Sequence, residues 1–338
     1  MGDLAGAARR QAGKAAATAP ALYIALVRLS LPGILLCGLL LAPLGSARAA
    51  NPLRPNLRGE VMILVYHRFG LKDSRWTRAY SSFDHDLARL DEAGYRPITL
   101  WQYVSGTFEL PAGTSPVVIT FDDSSDNQIK FTADGQLAPD CALAHWIAFA
   151  GAHPDFPMRG VFFINPGVGG HAAFDQPRYA VDKLRLIVQL GGEVGNHTLT
   201  HANLRRQAAI AAREIALGQY YLGRDLPGYA IHSFALPFGI YPMPPSLAWE
   251  GEWHNPRPGA PAEVRWDYAD VVKVGAGPAP SPLVAGFNAR HLPRIQVFDP
   301  EIDHWLEYFE RHPGRRFVSD GERHAPDSLS AKRGRAGS

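Results

Sequence analysis

Two pairs of residues in this 338-residue chain have types and spacing suited to hydrolytic chemistry. Asp122 and Asp123 stand side by side at the end of the apolar run VVITF. His197 and His201, four residues apart, follow directly on the short run EVGN. One turn of helix would place imidazoles at that spacing on one side. A nearby carboxylate then completes a two-histidine, one-carboxylate site with open positions, which suits zinc or a similar divalent ion. Such an ion lowers the pKa of a bound water and polarises a carbonyl oxygen. Successive strand residues point to opposite sides, so one aspartate is expected to ligate while its neighbour stays free as a base. Each pair alone is weak evidence, since paired histidines often only face solvent and Asp-Asp often marks a turn. Placed directly after runs that read as strands, they reinforce one another.

The elements that must position them alternate along the chain. Val61–Tyr66, Val117–Phe121, Val161–Ile164 and Glu193–Asn196 read as buried strands, with weaker ones at 232–236, 271–275 and 292–297. Helical periodicity runs through Phe83, Leu87 and Leu90, through Cys141–Ala150, through Val181, Leu184, Ile187 and Leu190, and over about 203–222 and 300–312. Repeated strand–helix units imply an α/β fold with a parallel sheet and right-handed crossovers. No Gly-rich phosphate loop follows any strand, so a nucleotide-binding sheet loses its usual signature. A closed or partly closed barrel fits better, and in a barrel the chemistry sits at the C-terminal ends of the strands. Residues 239–266, rich in Pro, Gly and Trp, break the rhythm as a long insertion.

Composition narrows the partners. A net charge of +2 is too mild to advertise nucleic acid. Two cysteines, Cys37 and Cys141, provide neither a disulfide scaffold nor a cysteine-rich zinc site. Residues 1–49 have the layout of a secretory signal peptide: basic residues, the apolar run 29–45, and Ala47-Arg48-Ala49 as a cleavage site. Cleavage would leave a chain of net charge −2, with Cys141 as its one cysteine and no stable membrane span. The expected organisation is a leader at 1–49, a catalytic domain at 50–318 and a disordered tail at 319–338, exported to the periplasm or secreted.

The segments VYHRFG (65–70), VVITFDDS (117–124), GVFFINPG (160–167), GEVGNHTLTHANL (192–204), FALPFG (234–239) and LPRIQV (292–297) resemble the polysaccharide deacetylase family, also called the NodB-homology or carbohydrate esterase 4 group. They occur in the family's order and span about residues 60–312. The resemblance implies a distorted (β/α) barrel of seven or eight strands. It implies Asp123, His197 and His201 as ligands of a divalent metal, usually Zn2+, and Asp122 as the general base. The reaction implied is removal of N-acetyl groups from a polysaccharide, with acetate released and the oxyanion held by the metal and a backbone N–H near Phe238.

This chain departs from the family pattern at three points. Ser124 stands where glycine is common. Ala235-Leu236-Pro237-Phe238 replaces Arg-x-Pro-Tyr, leaving the base without its arginine unless Arg294 points inward. The late Leu-x-His motif that supplies the general acid has no match: His291 precedes its strand and His304 has the wrong spacing. His67 ends the first strand and faces the expected site from a supporting position. Trp249, Trp253, Trp266 and Tyr241 read equally as a stacking floor for sugars or as anchors of the insertion. Two other functions fit the same residues: an esterase acting on O-acetyl groups of a glycan, and a catalytically silent glycan-binding protein.

Overall fold

The computed structural model describes residues 53–324, apart from 168–171, 206–207, 257–260, 276 and 299. The leader, and the tail beyond 324, lie outside the described residues. Of the tail's start, Ser319 is buried, and its hydroxyl donates to the Leu110 carbonyl at 2.9 Å.

The strands, in chain order, are β1 (Met62–Tyr66), β2 (Arg68–Gly70), β3 (Thr77–Ala79), β4 (Tyr95–Pro97), β5 (Ser115–Phe121), β6 (Val161–Ile164), β7 (Glu193–Asn196), β8 (Ser233–Ala235), β9 (Glu250–His254), β10 (Glu263–Asp267), β11 (Asp270–Val274) and β12 (Leu292–Gln296). The α-helices are α1 (Tyr80–Glu92), α2 (Leu100–Ser105), α3 (Ala142–Ala152), α4 (Ala180–Gln189), α5 (Ala208–Asp225) and α6 (Glu301–Arg311). Parallel pairing runs β1-β12-β11-β8-β7-β6-β5, and β5 returns to β1 with Met62 opposite Val117 and Tyr66 opposite Phe121. Seven strands thus close a parallel barrel. Strand β4 is an eighth, paired with the first residues of β5 while β6 takes the last.

A stride of two along each strand separates two cores. Ile63, Val118, Phe163, Ala235 and Val272 cluster inside the barrel. Their neighbours Met62, Leu64, Ile119, Phe162, Phe234 and Val271 pack outward with Phe83, Leu87, Trp146, Leu184 and Ile215 of the helices. The interior is filled to the point that Gly195 admits no side chain, because a Cβ there would meet the Phe163 ring at 2.5 Å.

The insertion is structured rather than irregular. Strands β9 and β10 form an antiparallel hairpin that packs on α5. Trp266 is buried, and its indole N–H donates to the Leu247 carbonyl at 3.0 Å. Among the described residues, no helix is long and apolar enough to cross a membrane.

The stride of two also brings Glu193, Ser233 and Asp270 together at the N-terminal end of the barrel, all fully buried. The Ser233 hydroxyl meets Glu193 Oε1 and lies 2.9 Å from Asp270 Oδ2. A hydroxyl has one proton, so it donates to one carboxylate, and the other carboxyl must donate to it. Glu193 Oε2 also accepts the Trp101 N–H at 2.8 Å, which marks Glu193 as the acceptor and Asp270 as the proton carrier. Burial pushes both carboxyls up, and the Glu193 charge pushes Asp270 well above the ordinary range. From the ordinary carboxylate range up to these raised values, the folded state holds more protons than the unfolded chain. This contribution to stability is therefore complete at low pH and is lost as pH rises through the window. Asp270→Asn, which keeps a donor toward Ser233 without titrating, should gain on wild type as pH rises. Its melting temperature relative to wild type should be higher at pH 9 than at pH 5 by about 3 °C or more. A difference that does not vary with pH would refute the shared proton.

Candidate functional site

The inward stride carries through the C-terminal ends of the strands into one pocket. It takes β1 from Ile63 to His67, β5 from Val118 to Asp122, β7 from Gly195 to His197 and β11 from Val272 to Val274. These four residues line a pocket of about 300 Å³ together with Asp123, His201, Leu236, Phe238, Arg68 and Trp76.

The two pairs converge by a route other than the expected ones. His197–Thr200 leaves β7 as a loop, not a helical turn, and both Thr198 (φ 67°) and His201 (φ 58°) are left-handed. Asp123 (φ 73°) and Ser124 (φ 49°) are left-handed too, so the two aspartates escape strand alternation and face the same pocket. Among the described residues, five of the seven non-glycine residues with positive φ belong here, Phe238 being the fifth. Such backbone is costly and persists where surrounding contacts over-determine it. Those contacts are visible. Asn165 Nδ2 donates to the carbonyls of His197 and, at 3.0 Å, Thr198. Thr200 donates both its N–H and its hydroxyl to Glu214 of α5 at 2.9 Å. Ser124, where the family favours glycine, adopts the glycine-like backbone and accepts the Asn165 N–H at 3.2 Å.

Asp123, His197 and His201 can hold a metal ion. Asp123 Oδ1 lies 3.4 Å from His197 Nε2 and 3.3 Å from His201 Nε2. Ligands about 2.0–2.1 Å from one ion at tetrahedral angles stand about 3.3 Å apart, so these separations match a shared ion. Asp123 Oδ1 is buried without a well-directed hydrogen bond, leaving its lone pairs free for a cation. His197 Nδ1 lies 2.8 Å from the Ala235 carbonyl, which fixes the proton there and turns the Nε2 lone pair into the site.

Asp122 is held apart from this trio. Arg294, fully buried on β12, donates Nη1 to Asp122 Oδ1 at 2.7 Å and Nη2 to Oδ2 at 2.6 Å. The arginine missing beside β8 is therefore supplied by β12, on the far side of β1. Burial pushes Asp122 up, but the Arg294 and His197 charges outweigh it and hold the carboxyl below its ordinary value. Asp122 Oδ2 remains 3.8 Å from His197 Nε2.

The histidines differ in protonation. Burial and the neighbouring His197 push His201 down to about 4. Burial pushes His197 down as well, but the Asp122 and Asp123 charges outweigh it and raise it. His67 is lowered, chiefly by burial. Its ring stands edge-on to Trp76 at 4.9 Å. His67 is thus the one further titratable histidine lining the pocket. His291 instead packs on Tyr241 at 5.0 Å, and His304 sits on α6 beside Trp305.

Phe238 is 61% exposed at the pocket mouth, with its ring 4.5 Å from that of His201. The tryptophans of the insertion do not line the pocket. Trp76 does, and nothing in its local sequence marked it out.

No protein-family model matches the chain, and no curated protein matches it. Solved structures do. The Streptococcus pyogenes deacetylase PplD, in complex with acetate, superposes with a TM-score of 0.52 at 17% identity, covering 74% of this chain and 98% of that one. The fold is that of the polysaccharide deacetylases. A polysaccharide deacetylase from Bacillus cereus superposes with a TM-score of 0.50 at 14% identity, over 74% of this chain and 69% of that one. Identities this low establish the deacetylase fold, and the site geometry must carry the chemistry.

The geometry makes metal binding by this deacetylase-fold chain testable without turnover. Binding must displace a proton from His197, whose value is raised, and none from His201 above pH 5. Zn2+ or Co2+ affinity should therefore fall about tenfold per pH unit below the His197 value, with one proton taken up per ion released. Asp123→Ala or His201→Ala should weaken binding at least about tenfold, whereas Asp122→Asn should retain it. Equal affinity in all three variants would exclude this trio as the ligands.

Proposed function

We propose that this chain is an exported, divalent-metal-dependent hydrolase that removes N-acetyl groups from a polysaccharide. One observation carries the reading: within one pocket, an arginine-gripped carboxylate stands beside a carboxylate and two imidazoles spaced for a shared ion. Zn2+ is the ion such a donor set suits best, and when bound it supplies Lewis acidity toward a water and an acetyl carbonyl oxygen.

The residues divide the proton work. Asp122, kept ionised and oriented by Arg294, takes a proton from the attacking water as its oxygen bonds to the acetyl carbon. The Phe238 backbone N–H faces the oxygen that gains charge. Leu236 and Val274 give the acetyl methyl an apolar wall. His67 lines the same pocket. Its protonated form, which burial makes scarce at neutral pH and strongly acidic, delivers a proton to the nitrogen as the carbon–nitrogen bond breaks, so that a neutral amine leaves with acetic acid, which gives its proton to solvent. This assigns His67 the role for which the late sequence motifs offer no residue. Ester hydrolysis would use the same steps, the leaving oxygen departing protonated as an alcohol, so O-acetyl glycans belong in the same assay.

Acetate release by residues 50–338 from N-acetylated and O-acetylated glycans tests the proposal. We expect release from an N-acetylated polymer, lost on chelation and lowered about 10²–10⁴-fold in Asp122→Asn. His67→Gln should lower kcat strongly with little change in KM, because it acts on the leaving group. Preference for O-acetyl substrates would reassign the enzyme as an esterase. Glycan binding without release, with metal bound, would make it a sugar-binding protein on this fold.

A further inference from the structure

The segment between β1 and α1 forms one wall of the pocket and is unusually well strapped. The Arg68 N–H donates to the Trp76 carbonyl at 3.0 Å, closing the segment on itself. Asp73 accepts the Ala79 N–H at 2.9 Å and the Ser82 hydroxyl at 2.5 Å. Arg78 joins Asp73 at 3.2 Å to buried Asp86 at 2.6 Å, and Gln296 Nε2 donates to the Arg75 carbonyl at 2.8 Å. A fixed wall of this kind is preorganised, so ordering it costs binding energy little.

What the wall presents is an exposed indole and unneutralised positive charge. Trp76 is 46% exposed at the pocket edge, with the Arg75 guanidinium 5.4 Å from its ring centre on one face, which leaves the other face for a sugar. Arg68 lines the pocket, and Lys72 and Arg75 follow on the same segment; among the described residues, none of the three has an ion-pair partner. The segment's one acid, Asp73, is taken by Arg78. Nor is Arg68 needed as counter-charge to the pocket carboxylates. Asp122 already has Arg294, and Asp123 faces two imidazoles. The expected mature chain is slightly acidic, so the cluster does not follow from general basicity.

We propose that Arg68 is a specificity residue that receives a carboxylate carried by the sugar next to the one being deacetylated, with Trp76 stacking on that sugar. This rests on the deacetylase reading and narrows its substrate to an acidic N-acetylated glycan. A planar guanidinium pairs with a carboxylate through two parallel hydrogen bonds, and an aromatic face suits the apolar face of a pyranose. The opposite wall, Leu236, Phe238 and Val274, carries no charge. The polymer is therefore read asymmetrically, with its acid to the β2 side.

Three oligomers test this: neutral β-1,4-linked N-acetylglucosamine, alternating glucuronate and N-acetylglucosamine, and muramic-acid-containing strands with lactyl carboxylates. Affinity by calorimetry on the metal-loaded protein stands beside kcat and KM for acetate release, so binding is read even if no acetate appears. At least one acidic oligomer should bind about tenfold or more tightly than the neutral one, with the advantage in KM and weakened by salt. The two acidic arms separate a uronate from a lactyl carboxylate. Arg68→Gln should erase most of that ratio, and Arg68→Lys should restore part of it. A neutral oligomer bound as tightly as both acidic ones, or a ratio unchanged in Arg68→Gln, would overturn the proposal. Absence of acetate with the acidic preference intact would instead overturn the catalytic reading alone.

Discussion

The pairing of Arg294 with Asp122 is the constraint to which the rest of the site is fitted. Both side chains are essentially inaccessible, at 0% and 1% exposure. Burying either charge alone would be prohibitive, and removing one partner of such a pair typically costs about 3–5 kcal/mol. The pair exists only if β12 and β5 both flank β1 in the observed register, because Arg294 must reach past β1 to the end of β5. The same guanidinium donates to Thr120 Oγ1 at 2.9 Å and lies 5.3 Å from the Phe163 ring. It therefore closes the top of the apolar barrel layer while orienting the carboxylate above it. One group joins packing to chemistry.

That arrangement gives two adjacent carboxylates different surroundings, as the proposed division into base and metal ligand requires. Two neighbouring carboxylates near one cation would ordinarily compete for it. Here Asp122 spends both oxygens on Arg294, while the left-handed backbone at Asp123 swings the second carboxylate toward the two imidazoles. The division of labour is set by which carboxylate has a guanidinium, and strand alternation plays no part in it. An arginine on β12 can grip Asp122 as one beside β8 would, because both strands deliver side chains to the same interior layer.

Much of the molecule is legible in the sequence where periodicity is strong. The seven barrel strands and five of the helices follow from apolar runs at the right spacing, and the Asp122-Asp123 and His197/His201 pairs follow from their types and their position after strands, while the choice of Asp123 as ligand comes from the family resemblance. The hairpin β9–β10 escapes notice because Glu250–His254 and Glu263–Asp267 alternate charge with Trp and Val on a half-exposed ribbon flanked by Pro and Gly. The six-residue α2 is too short for periodicity, although its Thr99 and Gln102 form a capping box. Left-handed backbone at Asp123, Thr198 and His201 is hidden because none of them is glycine, and tertiary hydrogen bonds impose it. Trp76 is hidden for a related reason: β2 and β3 have three residues each, and only the strap from Asp73 to Asp86 brings the indole to the pocket.

The stride of two along the strands links the opposite ends of the barrel. It places Glu193, Ser233 and Asp270 in the bottom layer, apolar residues including Phe163 in the middle, and Arg294 with Asp122 above them. Charge is thus confined to the two ends of a dry column, and each end handles it differently. At the bottom, among the described residues, no cation pairs directly with Glu193 or Asp270, and the Arg290 charge does not outweigh burial and the Glu193 charge, so a proton stays on one carboxyl. At the top a guanidinium is present, so Asp122 stays ionised. Two buried aspartates on one barrel are pushed in opposite directions by what stands beside them, and only the ionised one can serve as a base. The β12 position that carries Arg294 determines which end of the column holds an ionised carboxylate.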